Sequence, residues 1–184
     1  MQELPLSLRD RPLVVRTSTD RCERQVEPGG IVIRPAVSQE QDEIVTFVRS
    51  ERMNPFDLDW RRFLLATDRS GIVATVQLRH HGDGSRELGS LVVRKDARRR
   101  NVASRLIGTL LASAPARVFM ITGAAFAAHY GRWGFKPIEP LHAPWPIMRN
   151  YFLGTLGGIQ SWLAGRRPNT LAILFRNGEV AGSD

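Results

Sequence analysis

Glu87-Leu-Gly-Ser-Leu-Val-Val-Arg-Lys-Asp-Ala-Arg-Arg-Arg-Asn-Val-Ala-Ser-Arg-Leu106 is the stretch on which the fold turns. Its opening is apolar and β-prone, which predicts a strand over Arg86–Val93. Beyond the turn, apolar residues recur at 102, 103, 106, 107, 110 and 111, the spacing of a helix with one buried face over Val102–Ser113. A strand thus feeds a helix through a turn that carries Arg98, Arg99 and Arg100. The first N–H groups of such a helix have no partner within it. Together with the helix dipole they form an anion site. The arginines add permanent charge, and small Ala103 lets a ligand approach the first helical turn. The residues read as a phosphate or pyrophosphate cradle, and equally as a surface turn that is merely basic.

Upstream, Ile31–Arg34 reads as a short strand. Ser38 and Gln41 have capping-box spacing, and Ile44, Val45, Phe47 and Val48 follow at helical intervals. A second helix carrying Trp60 is expected after Asn54-Pro55. Phe63–Ala66 and Ile72–Leu78 read as strands joined by a tight Asp68–Gly71 turn, and Gly82-Asp83-Gly84 closes a hairpin into Arg86–Val93. Downstream, Arg117–Thr122 is a β-branched strand, Ala124–Tyr130 suits a short helix, Gly134-Phe135 opens a strand and Thr170–Phe175 makes the last. Met148–Gly165 is apolar and helix-like, but Gly154, Gly157 and Gly158 each cost about 1 kcal/mol against alanine, which argues against a rigid helix. The order predicts a mixed α/β domain in which an antiparallel meander feeds a crossover.

A chain of 184 residues can bury one proper core, and 42% hydrophobic with 24% charged residues is an ordinary globular balance. Residues 1–30, broken by Pro5, Pro12 and Pro28-Gly29-Gly30, read as an extension, and 31–184 as the domain. No run of 18 apolar residues occurs, so no membrane span is expected. The N-terminus has no signal-peptide core, and its acidic residues oppose a transit peptide; a cytoplasmic location is expected. Cys22 is the only cysteine, which excludes an intramolecular disulfide and a cysteine-built metal site. His80 and His81 fall on opposite faces of a strand, and His129 and His142 stand apart, so no metal site is expected. The net charge of +8 suits an anionic partner. No recognised nucleic-acid-binding motif accompanies it, so nucleic acid is not expected.

Three pieces in this order resemble the GNAT N-acetyltransferase superfamily. The family's phosphate motif is Gln or Arg, two free positions, Gly, one free position, then Gly or Ala. Here Arg98, Asn101 and Ala103 fill its first, fourth and sixth places. A Glu-Leu-x-x-Leu-x-Val strand precedes it, and Ala128-His129-Tyr130-Gly131-Arg132-Trp133-Gly134-Phe135 is similar to the Tyr-x-x-x-Gly-Phe signature. The resemblance covers roughly residues 31–140. It implies the GNAT acyl-CoA N-acyltransferase fold, a mostly antiparallel sheet splayed between its fourth and fifth strands with flanking helices.

It further implies an N-acetyltransferase that moves an acetyl group from acetyl-CoA to a primary amine by direct attack, with no metal. The pyrophosphate would lie on Arg98, Arg99, Arg100, Asn101, Val102 and Ala103. The pantetheine arm would lie between strands 86–93 and 117–122. A backbone N–H at Val92 or Val93 would polarise the thioester carbonyl. Tyr130 stands at the family's acid position and is otherwise a core aromatic. Glu87 is the candidate base, at a position where some GNAT enzymes carry a catalytic glutamate; it is otherwise a solvated residue beside the hairpin, with a water chain doing the same job. Asp57 and Asp59, in the acceptor segment Asn54–Trp60, attract a cationic amine or else cap a helix. Asn101 replaces the usual glycine, and asparagine is the best-tolerated substitute at positive φ. Met148–Gly165, with Trp162, is expected as a wall or lid on the acceptor side; its rivals are a partner subunit, as in a homodimer, and a membrane surface. The alternative function is an acyl-CoA-binding sensor or partner module without turnover. The acceptor, a small-molecule or peptide amine, is not named by the residues.

Overall fold

The computed structural model describes residues 30–51, 53, 57–114, 117–163 and 170–178, with side chains from 157 to 163 excepted. The expectations placed on residues 1–29, on Asn54 and Pro55, and on the Trp162 side chain lie outside the described residues. The sheet has seven strands: β1 (Val32–Pro35), β2 (Phe63–Asp68), β3 (Gly71–His80), β4 (Arg86–Val93), β5 (Arg117–Gly123), β6 (Lys136–Ile138) and β7 (Leu171–Asn177). Their order is β1-β2-β3-β4-β5-β7-β6. Among the described strands only the β4–β5 pair is parallel, with register Glu87↔Phe119 and Leu88↔Met120. The helices are α1 (Gln41–Ser50), α2 (Val102–Ser113), α3 (Ala127–Tyr130) and α4 (Trp145–Leu163). The mixed α/β architecture expected from the sequence, an antiparallel meander that feeds a crossover, is the one observed. No helix among the described residues is long and apolar enough to cross a membrane.

The chain forms two compact units. The first holds the described residues up to Arg79 together with Gly89–Ser113, and the second holds His80–Leu88 with the described residues from Ala114 onward. In the first, Phe63–Ala66 and most of β3 are buried, as in strands covered on both faces, and the buried positions of β3 include polar Thr75, Gln77 and Arg79. Ile44 and Val48 of α1, one turn apart, pack with Phe63, Leu65 and Ile72. The entry to α1 departs from the Ser38–Gln41 capping box. Ser38 opens a short 3₁₀ turn, and it is the Glu40 carboxylate that accepts from the Val37 N–H at 2.9 Å. Arg34 grips the same carboxylate at 2.9 and 2.6 Å and holds its pKa below the ordinary range. Gln41 instead pins the incoming loop, donating to the Leu58 carbonyl and accepting from the Trp60 N–H, both at 2.9 Å. Among the described residues the expected second helix is only a 3₁₀ turn, Trp60–Arg62.

In the second unit, β5 and β7 pair from Arg117↔Asn177 to Gly123↔Leu171, and β6 adds to the far edge of β7. Ile147 of α4 is fully buried against Phe119, Ala143 and Ile173, with Tyr151 beside it. Contrary to expectation, α4 runs unbroken through Gly154, Gly157 and Gly158. Gly154 shows why packing overrides propensity here: a Cβ on it would sit 2.9 Å from Leu171 Cδ1, so its bareness lets the helix close on β7.

Ile147→Ala should therefore destabilise the protein by about 2–5 kcal/mol in urea unfolding. Phe152→Ala, at a position 48% exposed on the same helix, should cost well under half of that; equal losses would show that α4 does not pack through its Ile147 face.

Candidate active site

The middle of β4 departs from a regular strand. Ser90 has φ +50, a left-handed conformation that costs an L-residue roughly 1–2 kcal/mol. It is buried, and its carbonyl accepts from Thr75 Oγ1 at 2.9 Å while Gln77 and Arg79 of β3 hold its hydroxyl. None of these was singled out from the sequence. The available signal was three polar residues at i, i+2 and i+4 in an otherwise apolar strand.

Beyond Val93 the chain is tied down before it turns. The Arg94 N–H donates to the Val73 carbonyl at 2.8 Å, and its guanidinium grips Asp96 at 2.7 and 3.0 Å. Arg98 donates from Nε to the Val93 carbonyl at 3.0 Å and pairs through Nη2 with Glu51 at 3.1 Å. Arg98 therefore shapes the turn, and part of its charge is spent on Glu51. Arg99 and Asn101 are both left-handed, with φ +63 and +58. Asn101 thus adopts the conformation that the family's glycine would supply. Its carbonyl accepts from the Arg105 N–H at 3.1 Å, so α2 starts at Val102 and the N–H groups of Val102, Ala103 and Ser104 have no partner in the helix. Arg99, Arg100 and Asn101 are exposed, Val93 and Ala103 half-buried, and Val92 and Val102 buried. The first unit thus brings every expected cosubstrate-binding residue onto one strand-turn-helix.

Glu87 is not solvated beside the hairpin, as one reading had it; it is 3% exposed. One carboxylate oxygen meets His81 Nε2 at 2.9 Å and accepts from Asn150 Nδ2 of α4 at 3.0 Å. Asn150 is 63 residues from Glu87, a separation at which no local pattern gives a signal. Tyr130 ends α3, half-buried, with ring centroids of Trp133 at 5.9 Å and Phe135 at 6.4 Å. Burial pushes its phenol pKa up, against a smaller opposing effect of a hydrogen bond with Thr122. Tyr130 is therefore protonated at neutral pH. Gly134, at φ +78, makes the left-handed turn that sends Phe135 inward.

Asp59 follows the capping reading, whereas Asp57 is held in an ion pair. Both Asp57 oxygens accept from Arg62 Nη1 at 2.8 Å, and Asp59 caps the Trp60–Arg62 turn through the Arg61 N–H at 3.1 Å. Among the described residues no cluster of His, Cys, Asp and Glu is arranged to hold a metal.

Asn101→Gly should leave thermal stability equal or higher, whereas Asn101→Val should lower it by about 1–2 kcal/mol, because a β-branched residue is a genuine outlier at positive φ. Equal melting temperatures for the two variants would contradict the turn geometry.

The sequence matches the family described as acetyltransferase (GNAT) domain over residues 59–137, a span that takes in Ser90, the basic turn, the start of α2 and Tyr130. Among solved structures the chain is similar to N-acetylglutamate synthase from Neisseria gonorrhoeae complexed with coenzyme A and N-acetyl-glutamate, at 15% identity and TM-score 0.60, covering 82% of this chain and 36% of that one. It thus spans about a third of that synthase. It is also similar to an acetyltransferase of the GNAT family from Staphylococcus aureus Mu50 (16% identity, TM-score 0.56, 80% and 99% covered). A third is an acyl-CoA N-acyltransferase from Pseudomonas aeruginosa (15% identity, TM-score 0.54, 79% and 97% covered). Comparison with curated protein sequences finds no match. Residues 59–137 thus resemble a GNAT acetyltransferase domain, and the chain that contains them has the acyl-CoA N-acyltransferase fold.

Proposed function

We propose that the protein is an N-acetyltransferase that moves an acetyl group from acetyl-CoA to a primary amine by direct attack. The observation that carries this reading is the turn into α2. Arg99 and Asn101 take left-handed conformations there without being glycine, and the turn delivers the N–H groups of Val102, Ala103 and Ser104, which have no partner within the helix, beside exposed Arg99 and Arg100. Such a helix start takes a diphosphate through backbone donors and dipole, with Arg99 and Arg100 supplying charge. That chemistry fits the diphosphate of acetyl-CoA, whose thioester supplies the activated acetyl group.

The remaining roles belong to the chain's own groups. A backbone N–H at Val92 or Val93 polarises the thioester carbonyl, as a donor aimed at developing negative charge. Tyr130, protonated and half-buried, gives its proton to the departing thiolate. Glu87 takes the proton that the ammonium form of the acceptor must lose before attack, and His81 and Asn150 orient its carboxylate. Because Asn150 lies on α4 and touches the proposed base, α4 serves as the acceptor-side wall. The reaction is expected in the cytoplasm, where acetyl-CoA is available.

Acetyl-CoA should bind the parent in titration calorimetry, and Ala103→Glu should abolish that binding. An acid in the first helical turn favours the helix itself, so the variant folds while its carboxylate repels the diphosphate. Unchanged affinity would sink the cradle. Tyr130→Phe should lower kcat for thiol release by about 10²-fold with acetyl-CoA affinity nearly unchanged; full turnover would assign Tyr130 to packing.

A further inference from the structure

Strand β3 carries Thr75, Gln77 and Arg79 on one face. All three are buried, Gln77 at 0% and Arg79 at 5% exposure. Their hydrogen bonds converge on Ser90. Thr75 Oγ1 donates to its carbonyl. With the Gln77 amide assigned so that its oxygen faces the guanidinium, that oxygen accepts from Arg79 Nε at 3.0 Å, Arg79 Nη2 at 2.9 Å and Ser90 Oγ at 2.8 Å. The amide nitrogen donates to the Asp57 carbonyl at 3.2 Å. Gly89 makes room for the guanidinium, since a Cβ there would sit 2.8 Å from Arg79 Nη1. Burying an amide and a guanidinium is costly unless each is hydrogen-bonded, and packing alone would be met by valine or leucine. The polar row is matched to one strained residue, not to the core.

We infer that Gln77 and Arg79 are positioning residues for acyl transfer: they hold Ser90 left-handed and so aim the β4 backbone at Val92 and Val93 toward the thioester carbonyl. This rests on the function proposed above. The same Gln77 amide ties the Asp57 backbone to the bend, so a shift on the acceptor-segment side reaches the strand that polarises the acyl group.

The test compares the parent with Gln77→Leu, Gln77→Glu and Ser90→Gly by the Kd values of CoA and acetyl-CoA and by kcat. CoA shares the diphosphate and pantetheine of acetyl-CoA, so the ratio of the two Kd values isolates the contact to the acetyl carbonyl. Gln77→Leu should lower kcat by about 10²-fold, the effect of a small misplacement of a reacting group. It should also bring the Kd ratio to about 1 while leaving CoA affinity nearly unchanged. Ser90→Gly, which reaches the left-handed conformation at no steric cost, should restore part of the lost rate when added to Gln77→Leu. If Gln77→Leu does not fold, Gln77→Glu carries the test: it keeps the acceptor for Arg79 but loses the donor to Asp57, and should show the same changes to a smaller degree. A folded variant with the parent's kcat and Kd ratio overturns the inference, as do equal losses of CoA and acetyl-CoA binding, which mark a merely structural role. A parent that binds neither ligand overturns the function itself and this inference with it. A parent that binds and turns over while both Gln77 variants match it overturns this inference alone.

Discussion

Backbone held where L-residues resist going is the constraint on which the proposed site depends. Among the described residues, the non-glycine positions with positive φ are Asp57, Ser90, Arg99 and Asn101. The conformation costs Ser90 and Arg99 roughly 1–2 kcal/mol each, and Asp57 and Asn101 less; it persists where the surroundings over-determine it. The surroundings are visible at each. Arg62 grips Asp57, the β3 polar row grips Ser90, and Arg98, bonded to Val93 and Glu51, braces the turn that contains Arg99 and Asn101. Strain of this kind clusters where a backbone must present its N–H groups in one direction. In the proposed function the strand-turn-helix presents them to a diphosphate and a thioester.

The net charge of +8 gains meaning once the arginines are sorted. Arg34, Arg62, Arg94 and Arg98 each close an ion pair with a carboxylate, and Arg79 is buried against an amide and a hydroxyl. These guanidinium groups build structure, for which their planar, many-donor geometry suits them. Exposed ion pairs contribute little to stability, but here they fix where loops leave and enter the sheet. Arg99 and Arg100, exposed at the start of α2, stand where anionic charge is expected.

The elements that sequence reveals are those whose signal is local. The period-2 and period-3.6 patterns of Arg86–Ser113 are local, and β4 and α2 have the predicted bounds. Asn101 was legible as a left-handed position because a six-residue motif places it. The surroundings of Glu87 were not legible. His81 and Asn150 reach it through a hairpin and across 63 residues, and tertiary pairing leaves no periodic trace. The row of Thr75, Gln77 and Arg79 lies on a strand whose other positions read as ordinary core, and its target on β4 shows only in three dimensions. Helix α4 was misjudged because propensity penalises each glycine, while the close approach to Leu171 is a tertiary gain no propensity scale contains. Among the described residues the second helix is only the Trp60–Arg62 turn, which Asp59 caps through the Arg61 N–H.

Acyl transfer as proposed requires the diphosphate to meet the start of α2 and the acetyl group to meet β4. Amide chemical-shift mapping during titration with acetyl-CoA reads both at once. The largest changes should fall on the N–H groups of Arg98–Ser104 and, for acetyl-CoA but not CoA, on Leu91–Val93. Saturable binding that leaves both segments unmoved and shifts amides elsewhere would contradict it.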